Sequence, residues 1–441
     1  MAIQVIVVVL ASAVYLYAMM HPARVLTAST LFAYLQMVMA VGSFLLFDAS
    51  NPADVAHSWV IAVATALFLT SNLLHTLTRR RMNMAPGTIT PYRLQRGDWV
   101  LLFVSVAIVG AYYAAVGSSA LFLGIQSILT GMSADIATTR LNAYASDRYL
   151  FPGYVNQFKN VLLPGLVVVL FSTSSNLHHR LGPRLLLAPL GLIALLGLLG
   201  TGQRGAFVMF ATTCFVFLYF LSGKRLSRKT VMLTLFATSI VLTATVALGR
   251  SASDWQAHGG IVQKVGLAGT EFAERITHDQ QMSSVAGFRY IYYQPVQNGR
   301  EWVESFMGVL PGFRGSDLDG RIFATLYGST RGTSPPSIWG SVYHNFGWSG
   351  VIILPIAIGI ALSIVSSRGM AHRHTNTLEL LGVSGVFVTF GFWTSDPPTF
   401  LLNSGIVVYA WMWWRGRCAA LRNEGIMTKE SDDERSAFTA P

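Results

Sequence analysis

The pattern along the chain is one of long apolar runs broken by short polar stretches. Runs of roughly 20 mostly apolar residues suit helices that cross a bilayer. They occur at 3–20, 25–47, 58–78, 99–117, 157–173, 185–201, 205–222, 230–248, 346–366, 377–394 and 398–414. The pattern predicts an all-α, polytopic transmembrane helix bundle of about eleven spans. Residues 1–249 would hold the first eight helices. A large loop at 250–345 follows, then three more helices over 346–414 and a tail at 415–441. The runs 185–201 and 205–222 are separated only by Gly202, Gln203 and Arg204, which predicts a tight hairpin or a broken helix. Two segments are too long for simple turns. In 118–156, Ser133 to Asp147 has the spacing of an interfacial helix, with Ile136, Leu141 and Tyr144 opposite Asp135, Arg140 and Asp147. The 250–344 loop is aromatic-rich and holds as many acidic as basic residues, so short helices folded over one mouth of the bundle are expected. The charged stretch after Arg422 predicts a disordered tail.

Composition supports lipid as the solvent. Charged residues make up 12% of the chain and hydrophobic ones 52%, with a mean hydropathy of +0.49. A soluble chain carries about 25% charged residues. The net charge is +11, but the basic residues fall between apolar runs, so topology explains them better than nucleic acid, and no nucleic-acid partner is expected. Arg24, the Arg79–Arg81 triplet with Arg93 and Arg96, then Arg180, Arg184, Lys224, Arg225, Arg228, Lys229, Arg368 and Arg373 occupy alternate loops. Arg415, Arg417 and Arg422 share that side. The positive-inside rule places this set in the cytoplasm with the C-terminus, and puts the N-terminus and both long segments outside. Met1 to Met20 lacks a basic start and a small-residue cleavage site, so it is expected to be a retained span. Cys214 and Cys418 fall in an apolar run and in the basic tail, so neither a disulfide nor a metal site is expected.

Three stretches hold candidate chemistry. Arg204, in Thr201-Gly202-Gln203-Arg204-Gly205, lies between two spans at or near membrane depth. An arginine there is costly unless paired, and a cationic fork beside glycine-exposed amides suits a phosphate or diphosphate. The competing reading is an arginine snorkelling to lipid headgroups. The outer loop adds Arg289, Arg300, Arg314, Arg321 and Arg331; Arg289 heads the run Tyr290-Ile291-Tyr292-Tyr293, where aromatic faces could stack on sugar. Taken singly, each of these arginines could equally pair with Glu301, Glu304, Asp317 or Asp319. The same four acids could supply a carboxylate base. Third, Pro335-Pro336 stiffens a turn, after which His344 and Asn345 stand at the predicted start of a span. His344 suits a general base or a phosphate contact; a capping role for Asn345 fits equally well. No nucleotide-binding loop, metal-binding histidine pair or hydrolase elbow is present, and no cofactor is implied.

The hairpin TGQRGAF, the long late outer loop and YHNFGWSGVI together resemble the O-antigen polymerases, the Wzy-type oligosaccharide repeat-unit polymerases. Their relatives, the O-antigen ligases, have a similar arginine hairpin and a histidine motif after the large loop. The resemblance spans roughly 118–366. It implies a GT-C-like, metal-independent glycosyltransferase of the bacterial inner membrane. Its substrate would be an undecaprenyl-diphosphate-linked oligosaccharide, used on the periplasmic face, with a polysaccharide chain-length regulator as a candidate partner. By motif position, Arg204 matches the hairpin arginine, Arg331 the basic residue before the turn, and His344 and Asn345 the loop-exit motif. Arg140, Arg289 and Arg314 would join Arg204 at the diphosphate, and Tyr290 and Tyr293 would hold sugar. Many polymerases carry a glutamate four residues before that asparagine. Here the position is Ser341, which turns attention to His344 or a loop acid as the base. An O-antigen ligase or a lipid-linked oligosaccharide flippase remains the alternative.

Overall fold

The computed structural model describes residues 1–20, 24–78, 88–117, 152–174, 181–201, 204–223, 280–308, 315–328, 333–371 and 374–438, with scattered positions between them. At 152–153, 174, 181–185, 204, 280, 374 and 423–438 it describes the backbone alone. These residues are mostly helical. The first half contains α1 (Ala2–Met19), α2 (Ala28–Leu46), α3 (Pro52–Thr78) and α4 (Arg96–Val116). Then come α5 (Pro152–Gln157), a π-helical segment (Phe158–Leu162), α6 (Leu163–Ser174), α7 (Leu181–Leu199) and α8 (Arg204–Leu221). The second half holds the short helices α9 (Gln280–Tyr292), α10 (Arg300–Met307) and α11 (Leu318–Tyr327), then α12 (Ile338–Gly369), α13 (Thr377–Gly391), α14 (Pro397–Asn403) and α15 (Ile406–Phe438). Two three-residue strands, β1 (Thr88–Thr90) and β2 (His374–Asn376), pair in parallel with Thr88 opposite His374.

Among the described residues, six helical stretches are long and apolar enough to cross a membrane: α1, α2, α3, α4, Tyr154–Thr173 and α12. Shorter apolar helices cover Leu186–Leu199, Gly205–Leu221 and Thr377–Gly391. The chain is a multi-pass α-helical membrane protein, and many large apolar side chains on α1 and α4 face outward, as lipid contact requires.

Helix–helix contact inside the bundle relies on small and polar residues, the usual substitute for a hydrophobic driving force in lipid. α12 lies along α3, where a side chain at Gly359 would collide with Ser71 and Phe68. Beside that contact Asn72 donates to Ser29 Oγ (2.9 Å) and to the Gly359 carbonyl (2.7 Å), and accepts from Tyr15 (3.0 Å). α13 lies equally close to α15, and a side chain at Gly382 would strike the Trp413 backbone. Helix starts are capped by side chains: Thr27 for α2, Ser337 for α12, Asn376 for α13 and Asp396 for α14 each accept a backbone N–H of the first turn.

The structure departs from the sequence pattern in several places. α3 starts at Pro52, six residues before the apolar run, because Asp54 and His57 are buried within the protein and carry the helix inward. α12 starts at Ile338 with Ser337 as its cap, so Asn345 is an interior helical residue and caps nothing. Gly347, with φ 59° and ψ −150°, then kinks α12 just past Asn345. The expected span 398–414 is two helices, α14 and α15, broken at Gly405 (φ 84°). α15 runs on through the charged tail to Phe438, where disorder was expected; between Gly425 and Phe438 there is neither glycine nor proline and many strong helix formers, so propensity sustains the helix. The run 230–248 and the Ser133–Asp147 segment lie outside the described residues.

Candidate functional site

The end of the bundle that carries the α2–α3 turn also receives α9, α10, α11, the head of α12 and the N-terminus of α14. The kink at Gly347 organises this end. Where the helical ladder is broken, the carbonyls of His344 and Asn345 accept from the Gln297 and Gly299 N–H groups, at 2.9 and 3.1 Å. Gly299 (φ 81°) lies against the Phe346 ring and starts α10. α10 is thereby pinned to α12, and Glu301 on its first turn reaches the motif. The fully buried Asn345 donates from Nδ2 to Glu301 Oε2 (2.9 Å) and to the Ser341 carbonyl (3.0 Å). Trp302 Nε1 donates to Ser341 Oγ (2.9 Å) and stacks edge-on against Phe346. Glu301 thus lies beside the helical turn that carries Ser341 and Asn345.

Two further carboxyls face Glu301. Asp319, on the first turn of α11, is pushed up to about 7, chiefly by burial and then by Asp396 and Glu301. Asp396 is also raised, burial first, with Glu301 adding to the effect while the N–H of Thr399 opposes it. His344 is 6% exposed, adjoins Glu301 and Arg321 electrostatically, and leaves Nδ1 with no hydrogen-bond partner; Asn345 Oδ1 is likewise unpartnered. An imidazole held in a polar enclosure, beside the Glu301 carboxylate and with a ring nitrogen unengaged, can take a proton from an incoming hydroxyl. No group of histidine, cysteine and acidic residues among the described ones has metal-site geometry.

Arg289 is committed elsewhere. Its Nε and one Nη donate to the two oxygens of Asp54 (2.8 and 2.6 Å), and Asp54 is 1% exposed. That bidentate pair raises the guanidinium's affinity for its proton and ties α9 to α3. The expected diphosphate contact of Arg289 is therefore replaced by a strut. Next to it, Phe288 stacks flat on His57 at 4.3 Å. Tyr290 is half-buried against the core, whereas Tyr293 is 71% exposed and free to present its ring to a ligand. The backbone of Arg204 opens α8; its side chain, and all of Arg140, Arg314 and Arg331, lie outside the described residues.

Two residues of this end were not singled out in the sequence. Asp396 heads Asp-Pro-Pro, a helix-start signature that fixes its position as the cap of α14. Lys159 is 0% exposed inside the π segment, where a lone lysine in an apolar run meets the same rule that singles out Arg204. No family model, no curated protein and no solved structure matches the chain.

Proposed function

We propose that the chain is a polysaccharide repeat-unit polymerase of the O-antigen polymerase kind, a GT-C-like glycosyltransferase of about eleven spans in the bacterial inner membrane. The end carrying Glu301, His344 and Asp396 would face the periplasm, with the N-terminus on that side and the C-terminus in the cytoplasm. The observation that carries the reading is the Glu301–Asn345 hydrogen bond, which joins a loop carboxylate to the His344-Asn345 motif and returns an acid to the place Ser341 leaves vacant. The donor is a glycan on undecaprenyl diphosphate, and the acceptor is the non-reducing sugar of a new lipid-linked unit.

In the reaction the acceptor hydroxyl oxygen forms a bond to the donor's anomeric carbon. The bond from that carbon to the phosphate oxygen breaks, and the electron pair leaves with the diphosphate. His344 takes the hydroxyl proton, and the Glu301 carboxylate beside it stabilises the imidazolium. Arg204, with Arg140, Arg314 and Arg331 as further candidates from the resemblance, neutralises the departing diphosphate. Tyr293 offers its exposed ring to sugar.

The test is reconstitution of the purified chain with lipid-linked repeat units. New glycosidic bonds and chains of several units are expected, and Arg204→Ala should shorten or abolish them at normal protein level. Normal long chains from Arg204→Ala sink the diphosphate role. Transport without bond formation identifies a flippase. Transfer only of finished polymer to a lipid A core identifies a ligase.

A further inference from the structure

We infer that Lys159 is an anion-binding group that holds a phosphate of a prenyl-linked diphosphate, an inference that rests on the polymerase reading for the identity of the lipid. The side chain is 0% exposed, and its Nζ has no hydrogen-bond partner. The nearest favourable contact is the face of Tyr112, 5.3 Å from Nζ to the ring centre. A cation so placed within a membrane protein costs several kcal/mol unless something compensates it, and one ring face does so only in part.

The backbone is shaped around this residue. Phe158–Leu162 is the π-helical segment among the described residues, and such bulges re-aim side chains at functional positions. α7 lies directly against it: a side chain at Gly197 would come within 2.9 Å of the Lys159 carbonyl and 3.3 Å of its Cγ. One helical turn further on is Thr201, 2% exposed and with its hydroxyl unpartnered, and Thr201 precedes Arg204 by three residues in the sequence. Gln157, two residues before the lysine, donates to the Leu402 carbonyl (2.6 Å) and leaves Oε1 unpartnered. The segment also packs on α4 and α8, and the one carboxylate of α4, Asp98, is engaged by Arg415 at the far end of that helix. A compact ammonium, a nearby hydroxyl and no described carboxylate in attendance form a site for a phosphate, which lysine binds as a point charge. The Gln157–Leu402 hydrogen bond ties this segment to the C-terminal part of α14, whose N-terminus brings Asp396 to the acidic cluster. Cationic and acidic halves thus flank one short helix, and a leaving diphosphate and an accepting base need that separation.

The test uses the full chain in detergent and radiolabelled farnesyl diphosphate as the probe. Lys159→Met should bind at least about tenfold more weakly, the usual loss for one contact to a charged group, and Lys159→Arg should keep most of the affinity. Thr201→Val should weaken binding several-fold. Excess phosphatidylglycerol should fail to displace the probe. A folded Lys159→Met chain with unchanged affinity overturns the inference. If that variant does not fold, unchanged affinity in Thr201→Val overturns it. Displacement by phosphatidylglycerol as effective as by unlabelled probe overturns the diphosphate assignment in favour of lipid headgroups. A chain that binds the probe through Lys159 yet makes no glycosidic bond keeps this inference and removes the polymerase reading; polymerisation with unchanged Lys159→Met binding does the reverse.

Discussion

The two ends of the bundle treat buried charge differently. At one, Asp98 is 0% exposed and its oxygens accept from Arg415 (2.7 Å), the Tyr92 hydroxyl (2.8 Å) and the Gln95 N–H (2.8 Å). Nearby, Asn376 caps α13 and donates to the Gly416 carbonyl (2.6 Å), and the β1–β2 pair closes the end. At the other end the Asp54–Arg289 pair is just as complete, but around it stand groups whose capacity is not filled: His344 Nδ1, Asn345 Oδ1, Thr201 Oγ1 and Lys159 Nζ. Three carboxyls crowd there as well, so that burial and mutual repulsion keep the proton on Asp319 to about 7. Unfilled polar groups are costly within a protein. The unfilled groups around His344 and Lys159 suit completion by something outside the chain, whereas Asp98 is completed by Arg415, Tyr92 and Gln95.

The contrast can be broken most sharply at His344. His344→Ala should reduce polymer formation by about 10²–10⁴-fold, the usual contribution of a general base, and leave thermal unfolding in detergent near that of the parent chain. A variant that loses stability in proportion to activity would make this end structural like the other. Arg415→Ala is the converse. It leaves the Asp98 charge buried without its cation and should cost about 3–5 kcal/mol, read as a lowered melting temperature, with the remaining folded protein active. The equivalent change at the more exposed Arg289 should cost less. Gly347→Ala should cost about 1–3 kcal/mol, because that φ and ψ combination is open to glycine alone. It should also lower activity by shifting the His344 and Asn345 carbonyls away from Gln297 and Gly299; full activity would show that the kink does not set the site.

The smallest effect concerns pH. Asp319 binds its proton up to about 7, against an ordinary value of 3.8, so between those values the folded chain holds a proton that the unfolded chain has lost. The contribution of this group to stability is therefore greatest at low pH and declines as pH rises through that window. Asp319→Asn should flatten the decline in melting temperature between pH 4 and 7.

Much of this fold was legible because lipid imposes simple rules. α1, α2 and α4 begin and end within a few residues of their apolar runs, since a lipid-facing helix must be apolar along its whole length. The pattern failed where a helix is covered by protein. The head of α12 carries Ser341, His344 and Asn345 because α10 covers it, so hydropathy placed its start too late. The break at Gly405 was hidden because both flanking pieces are apolar. The candidate site was half legible. His344 and Asn345 stood out locally, but their union with Glu301 joins positions 44 residues apart, and Asp319 and Asp396 arrive from two further helices. Arg289 misled for the same reason: its partner Asp54 lies 235 residues away.

The bend at Gly347 has a mechanical consequence. It divides α12 into two helical pieces and frees the carbonyls that seat α10, so one residue's torsions set how His344 stands toward Glu301.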